Sequence, residues 1–131
     1  MQNIKPSTFT KVELEFMQII WDHSEATSED IQNALAKKDR HITDGGIRRI
    51  LSILMKKGHL TRNKRGRSFL YKAIIHKEYA EKNIIHDLLD RAFSGSIPHM
   101  VSTLINSRDI SDDEMKEVKK IITERERKRQ K

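Results

Sequence analysis

The chain has 131 residues, with 26 lysines and arginines against 19 aspartates and glutamates, and a formal net charge of +7. This length suits one domain or two small ones. No apolar run approaches the roughly 18 residues that a membrane span requires, and the first residues lack the apolar core of a signal peptide. Cysteine is absent, which excludes disulfides, thiolate metal sites and thiol catalysis. We therefore expect a cytoplasmic protein without membrane insertion, and the basic balance favours an anionic partner.

The excess of positive charge is concentrated in residues 40–72. This segment holds ten cations and a single acid, Asp44, so its formal charge of +9 exceeds that of the whole chain. The other residues are therefore slightly acidic in sum. A compact basic segment is typical of a nucleic-acid contact surface, and a solvated basic face without a partner is the alternative on charge alone.

Two helices are predicted in the first part of the chain, before residue 40. Thr10 and Glu13 have the spacing of a capping box, and apolar residues then recur at helical spacing as far as His23. Thr27 and Asp30 repeat the capping pattern at the start of a second, shorter helix. The apolar face of the first helix is broad, which indicates that it is covered on more than one side.

A third helix is predicted to begin after Thr43 as its N-cap and to end at Gly58. The residues expected to face the core recur at helical spacing and are Ile47, Ile50, Leu51 and Leu54. The opposite face is expected to be exposed, and it carries Gly45, Arg48, Arg49, Ser52 and Lys56.

Two short β-like segments follow, His59–Arg62 and Phe69–Ala73, and the second alternates in the pattern of a strand. Between them lie residues 63–68, a basic turn that contains Gly66. The tip of this predicted hairpin is almost entirely cationic. The side chains expected to contact phosphate there are Arg62, Lys64, Arg65 and Arg67.

After residue 75 the composition is nearly neutral and predicts three further helices. They are expected from about Lys77 to Phe93, over Ile97–Ile105, and from the Ser111–Glu114 capping box onward, whereas Glu124–Lys131 is expected to fray. About fifty residues are too few to bury such broad apolar stripes within one chain, so a second copy is expected to cover them. The residues assigned to that dimer contact are Ile84, Ile85, Leu88, Leu89, Val101, Leu104, Val118 and Ile122.

Three helices followed by a basic hairpin predict a winged helix-turn-helix. The expected protein is mainly α, with a winged-helix DNA-binding domain and its small β-hairpin wing at residues 1–75. A three-helix dimerisation domain is expected at residues 76–131, ending in a frayed basic tail. In this architecture the third helix enters a major groove and the wing reaches the adjacent backbone.

Residues Phe9–Trp21, Ile47–Gly58 and Phe69–Tyr71 resemble the penicillinase-repressor and methicillin-resistance-repressor family, and Ser94–Ile97 and Ile110–Glu114 resemble its C-terminal domain. The resemblance implies a dimeric bacterial repressor that binds a palindromic operator in double-stranded DNA and dimerises through its C-terminal helices. It also implies relief of repression by cleavage of the C-terminal domain, through a membrane-bound sensor metalloprotease that responds to a β-lactam. A copper-responsive branch of the family uses a cysteine motif, which this chain lacks.

Several positions depart from the family pattern. The family commonly has Lys-Thr where this chain has Gly45-Gly46, and often has Arg where this chain has Ile53. The two glycines either let the backbone approach a phosphate at the helix N-terminus or mark a lost contact, and both interpretations remain open at this stage. The family's Asn-Phe cleavage pair aligns with Thr103-Leu104, which is therefore the candidate cleavage site.

The expected site contains no catalytic residue, cofactor or metal. His86 and Asp90 have a spacing compatible with metal ligation, but no tight histidine motif surrounds them. The alternative function is a helical interaction protein whose basic hairpin binds an acidic protein or a membrane surface. The candidate DNA-binding residues are Thr43, Gly45, Gly46, Arg48, Arg49, Ser52, Lys56, Arg62, Lys64, Arg65 and Arg67.

Overall fold

The structure is a computed structural model that describes residues 9–130, and these residues are mainly helical. They divide into two compact units, one ending at Asp87 and the other beginning at Leu88. The division at residues 75/76, drawn from composition, stays a prediction. Within the described residues, no helix combines the length and apolar character needed to cross a bilayer.

The first unit begins with three helices whose starts match the capping signals in the sequence. A threonine precedes each helix, and its side-chain oxygen accepts the backbone N–H three residues later, which satisfies a donor that would otherwise lack a partner. The capping boxes predicted at Thr10 and Thr27 are confirmed. The helices are α1 (Lys11–His23), α2 (Ser28–Ala36) and α3 (Asp44–Lys56).

A three-stranded antiparallel sheet completes the winged helix. Its strands are β1 (Glu25–Ala26), β2 (Leu60–Arg65) and β3 (Ser68–Ala73), and β3 lies between the other two. The two-residue β1 pairs with Lys72 and Tyr71 of β3. This strand is missing from the sequence-based prediction because two residues carry no alternation and the partner lies far along the chain.

The predicted extent of the wing tip is wrong. Strand β2 continues to Arg65 and pairs there with Ser68, so only Gly66 and Arg67 form the turn rather than residues 63–68. Gly66 has φ +62°, a conformation that a side chain disfavours and that a two-residue hairpin turn requires. The basic residues before it therefore belong to a regular strand with fixed side-chain directions.

The core of the first unit lies between the three helices and the sheet. Trp21 supports it at the edge, where its Nε1 donates to the carbonyl oxygen of Ile75 at 3.0 Å. Ala80, in the helix that follows the wing, is fully buried in the same core. The largest fully buried side chains are Phe16, Met17, Ile20, Ile31, Leu35, Ile47, Leu51 and Leu54.

Three helices follow the wing, in the order that the sequence predicts: α4 (Lys77–Phe93), α5 (Ile97–Ser107) and α6 (Asp112–Arg129). Ser96 caps α5, and Ser111 caps α6 in a full capping box with Glu114. The expected fraying from Glu124 onward is wrong, since α6 continues to Arg129. Acidic residues in its first turn and basic residues in its last turn complement the helix dipole, which offsets the lack of apolar residues there.

Candidate nucleic-acid interface

Helix α3 presents one buried face and one polar, exposed face. Ile47, Leu51 and Leu54 are fully buried, and Ile50 is half-buried against the same core. This confirms the predicted facing of the helix, except that Ile50 lies at its margin. The residues on the opposite face that are exposed to solvent are Gly45, Arg48, Arg49, Ser52 and Lys56.

The two glycines at the start of α3 have different surroundings. A Cβ on Gly46 would lie 2.9 Å from Cγ2 of Ile42 and 3.2 Å from Oγ1 of Thr43, whereas a Cβ on Gly45 would meet nothing within 4 Å. The same Thr43 oxygen accepts the Gly46 N–H at 3.1 Å. Gly46 is therefore required by the close packing of the cap. No contact explains Gly45, which leaves the helix N-terminus open to an approaching ligand.

Arg48 is held by a weak surface ion pair. One of its terminal nitrogens lies 3.3 Å from Oδ2 of Asp44 one turn earlier, and both side chains are mostly exposed. Pairs of this kind contribute little and are screened by salt. A phosphate can therefore replace the carboxylate at small cost.

The strand register separates the wing cations onto two faces. Arg62 pairs with Tyr71, and Lys64 pairs with Phe69, so all four side chains lie on the face that carries the buried Leu60. Arg65 is odd-numbered in the same strand and points to the opposite face. The wing residues predicted to act together are thus split, with Arg65 set apart.

A groove of about 470 Å³ lies between α3 and the wing. Four of the predicted DNA-binding residues meet there, and none of the lining residues is acidic. Three guanidinium groups in a groove without a carboxylate form a site for an anion. The four residues are Arg48, Ser52, Arg62 and Arg67.

Sequence reasoning missed the contribution of Phe69. The Cζ of Arg62 lies over the Phe69 ring, 3.9 Å from its centroid. The two residues are diagonal neighbours across the β2–β3 pair, a position from which long side chains reach each other. Once the hairpin register is known, this pairing follows, but the shortened strand predicted from sequence hid it.

The C-terminal end of α3 is fixed by an ion pair whose carboxylate is buried and whose ammonium is partly exposed. The Nζ of Lys57, the C-cap residue, lies 2.8 Å from Oε1 of Glu13, whose residue is only 4% exposed. Burial lowers the pKa of the neighbouring His59, the Lys57 charge lowers it further, and the Glu13 charge opposes both. The His59 ring also stacks on Phe9, with the ring centroids 4.5 Å apart.

A second glutamate of α1 holds the loop before α3. Both oxygens of Glu15 accept from Arg40, at 2.7 and 3.1 Å, and this hydrogen-bonded carboxylate raises the pKa of the guanidinium. Two ion pairs from one helix therefore fix the segments on both sides of α3. In residues 9–130, no group of three or more metal-ligating side chains is arranged to hold a metal ion.

The residues predicted to dimerise are largely uncovered in the single chain. No residue of α5 or α6 is buried, and the exposed fractions include 58% for Leu104, 51% for Ile85 and 52% for Ile122. Ile84, Leu89 and Val118 are half-buried, and Leu88 and Val101 are exposed. Thr103 and Leu104, the candidate cleavage pair, are both exposed in the middle of α5.

Three helices, a small antiparallel sheet and an exposed cationic face define a winged helix-turn-helix protein of the DNA-binding class. Comparison with known proteins identifies the family within this class. Residues 9–124 match the penicillinase repressor family. The penicillinase repressor of Bacillus licheniformis is 32% identical over 113 residues, which cover 86% of this chain and 87% of that protein. The chain therefore belongs to the penicillinase repressor family.

Two further relatives agree with this assignment. The methicillin resistance regulatory protein MecI of Staphylococcus aureus is 23% identical over 121 residues, covering 92% of this chain and 98% of that protein. The solution structure of the DNA-binding domain of the repressor BlaI matches with a TM-score of 0.51 and 32% identity, covering 60% of this chain and 93% of that domain. The winged-helix fold predicted from the sequence is thus confirmed.

Proposed function

We propose that this chain is a dimeric transcriptional repressor that acts in the cytoplasm by binding a palindromic operator in double-stranded DNA. The observation that carries the proposal is the acid-free groove between α3 and the wing, which collects Arg48, Arg62 and Arg67 on one surface. The family to which the chain belongs, and the BlaI DNA-binding domain that it resembles, support the same function.

In this proposal the exposed face of α3 contacts bases, and the cations of the groove and wing contact phosphates. Arg49 lies on the exposed face of α3 and reads base edges in the major groove, where a good bidentate contact discriminates by about 1–3 kcal/mol. The groove cations and Lys64 contact phosphates, which fix the register of the protein on the duplex. The open N-terminus of α3 at Gly45 lets its unpaired N–H groups approach another phosphate.

Footprinting on the DNA upstream of the protein's own gene tests for an operator. A protected palindrome is the expected result. A salt titration on random duplex should then give a slope of log K against log salt of about −3 to −4 per protomer, for roughly four phosphate contacts. Binding to anionic vesicles or acidic proteins, with a flat salt response on DNA, would favour the basic hairpin as a protein or membrane contact.

Dimerisation is proposed through the C-terminal helices. The exposed apolar side chains of α4, α5 and α6 would be covered by the same residues of a second copy in a two-fold interface. We expect Leu104→Asp to convert a dimer to a monomer at micromolar concentration, measured by light scattering. Ile74→Asp is the matched control, because Ile74 is exposed to a similar fraction, 54%, in the first unit. Equal behaviour of the two variants would contradict the assignment of the interface.

We propose that cleavage of the C-terminal domain between Thr103 and Leu104 relieves repression. Thr103 and Leu104 are exposed, so a protease linked to a sensor has access to this bond once the helix opens locally. We propose that a β-lactam is the signal, as the family resemblance implies. Mass spectrometry of the protein from β-lactam-treated cells should detect a fragment ending at Thr103, and an intact chain under derepressed conditions would refute this step.

A further inference from the structure

We propose that Phe69 is a positioning residue for DNA binding, which holds the guanidinium of Arg62 in the groove so that Arg62 contacts a DNA phosphate there. The proposal rests on the DNA-binding function proposed above. In this proposal Arg62 is an oriented cation on the wall of the groove rather than a flexible cation at the wing tip. The observation behind it is the 3.9 Å distance from Cζ of Arg62 to the Phe69 ring centroid.

The ring is a fixed platform. Phe69 is half-buried and packs against the core of the first unit, while the guanidinium covers its outer side. Arginine has many rotamers, and ordering one of them on binding costs free energy. A side chain that is already held in the free protein avoids part of that cost.

Stacking and phosphate binding are compatible because they use different parts of the guanidinium. The cation–π contact uses the planar face, whereas hydrogen bonds to phosphate use the N–H groups at the edge. Within the part of the chain that the structure describes, the contact found for the Arg62 guanidinium is the one with the Phe69 ring, and no hydrogen bond or ion pair to a protein group is found for it. Its donors are therefore available to a ligand, beside Arg48 and Arg67 in the same groove.

Arg65 provides the matched comparison. It is a cation in the same strand, it is exposed as Arg62 is, and it lies on the opposite face away from the groove. If positive charge on the wing were sufficient for DNA binding, Arg62 and Arg65 would contribute equally to the affinity. The proposal requires Arg62 to contribute more.

A double-mutant cycle on the full chain tests the proposal, with fluorescence anisotropy on a random-sequence duplex at several salt concentrations. Arg62→Ala should flatten the salt slope by about one contact, and Arg65→Ala should flatten it by less. Phe69→Leu should weaken binding about two- to fivefold, the range of an exposed cation–π contact, and Phe69→Tyr, which keeps the ring, should bind as the wild type does. In the Arg62→Ala background, Phe69→Leu should have no further effect.

The outcomes separate the two levels of the proposal. If Phe69→Leu weakens binding equally with and without Arg62, its role is structural and the positioning proposal is overturned. Thermal melting of each variant shows whether the wing is folded at the assay temperature, and Phe69→Tyr tests the ring without removing its packing. An unchanged affinity and salt slope of Arg62→Ala on the random-sequence duplex would show that Arg62 does not contact phosphate, which also overturns the proposal. Failure of the wild type itself to bind DNA would refute the proposed function instead.

Discussion

Replacing Lys57 by methionine should destabilise the first unit more than any comparable change on its surface. The substitution keeps the apolar stem but removes the ammonium 2.8 Å from the Glu13 carboxylate. Glu13 is 4% exposed, so its charge would be left in the protein interior, where the Thr10 N–H of the capping box donates to it at 3.0 Å. Removing one partner of a fully buried pair costs about 3–5 kcal/mol.

The expected cost is smaller because the pair is not fully buried. The Lys57 side chain is 32% exposed, so water reaches one side of the contact. We therefore expect about 1–3 kcal/mol, the range for a buried polar group that loses its partner. For a unit of this size that corresponds to a decrease in melting temperature of roughly 5–20 °C, measured by circular dichroism.

The second ion pair that involves a glutamate of α1 provides a matched control. Arg40→Met removes the cation from Glu15, whose pair is exposed to solvent, so its melting temperature should change much less. Glu13→Gln should also cost less than Lys57→Met, because it leaves a partly exposed lysine rather than a buried carboxylate. If Lys57→Met and Arg40→Met melt alike, water solvates Glu13 and the burial argument is wrong.

Three further predictions follow from the residues around α3. Gly45→Ala should stabilise the fold by up to about 1 kcal/mol, because the added Cβ meets open space. Gly46→Ala should destabilise the fold, because its Cβ would lie 2.9 Å from Ile42. The opposite ranking of the two variants in chemical denaturation would contradict the packing argument. Arg49→Ala should weaken operator binding by about 1–3 kcal/mol and leave the melting temperature unchanged. Leu51→Ala should lower the free energy of unfolding by about 2–5 kcal/mol, because Leu51 is fully buried. Equal melting temperatures of the two variants would refute the assignment of the exposed and buried faces of α3. The pKa of His59 is lowered in the folded protein, so the unfolded chain binds a proton on this ring at a higher pH than the folded protein does. Stability should therefore decrease as the pH falls below 6.5 toward the native pKa. His59→Leu should remove that part of the pH dependence in denaturation measured between about pH 5 and 8.

Features with local causes could be predicted from the sequence. The capping boxes at Thr10, Thr27 and Ser111 each need only four consecutive residues, and the structure has all of them, with Asp30 in the role of the acid in the second. The exposed face of α3 follows from a period of 3.6 residues over one helix. Both kinds of signal are complete within the segment that they describe.

Features that depend on pairing between distant segments could not be predicted in the same way. Strand β1 exists because Glu25 and Ala26 meet β3, and two residues carry no recognisable period of their own. The length of β2 is fixed by its partners in β3 rather than by its own basic, strand-poor composition. The stacking of Arg62 on Phe69 depends on that register, so it became visible only with the hairpin in place.

A cut between Thr103 and Leu104 should inactivate the repressor without unfolding the part that contacts DNA. Every member of the buried core lies at or before Ala80, and the first unit ends at Asp87, so the fragment 1–103 retains both, together with all of α4. It loses α6 and the end of α5 from Leu104 onward, and with them three of the eight residues expected to dimerise: Leu104, Val118 and Ile122. We therefore expect the fragment to bind an isolated half-site as tightly as the whole chain does, measured by anisotropy. Its affinity for the palindrome should fall by about 10²–10⁴, because the second half-site no longer gains from tethering. Equal losses on half-site and palindrome would show instead that the C-terminal helices support the fold of the DNA-binding unit.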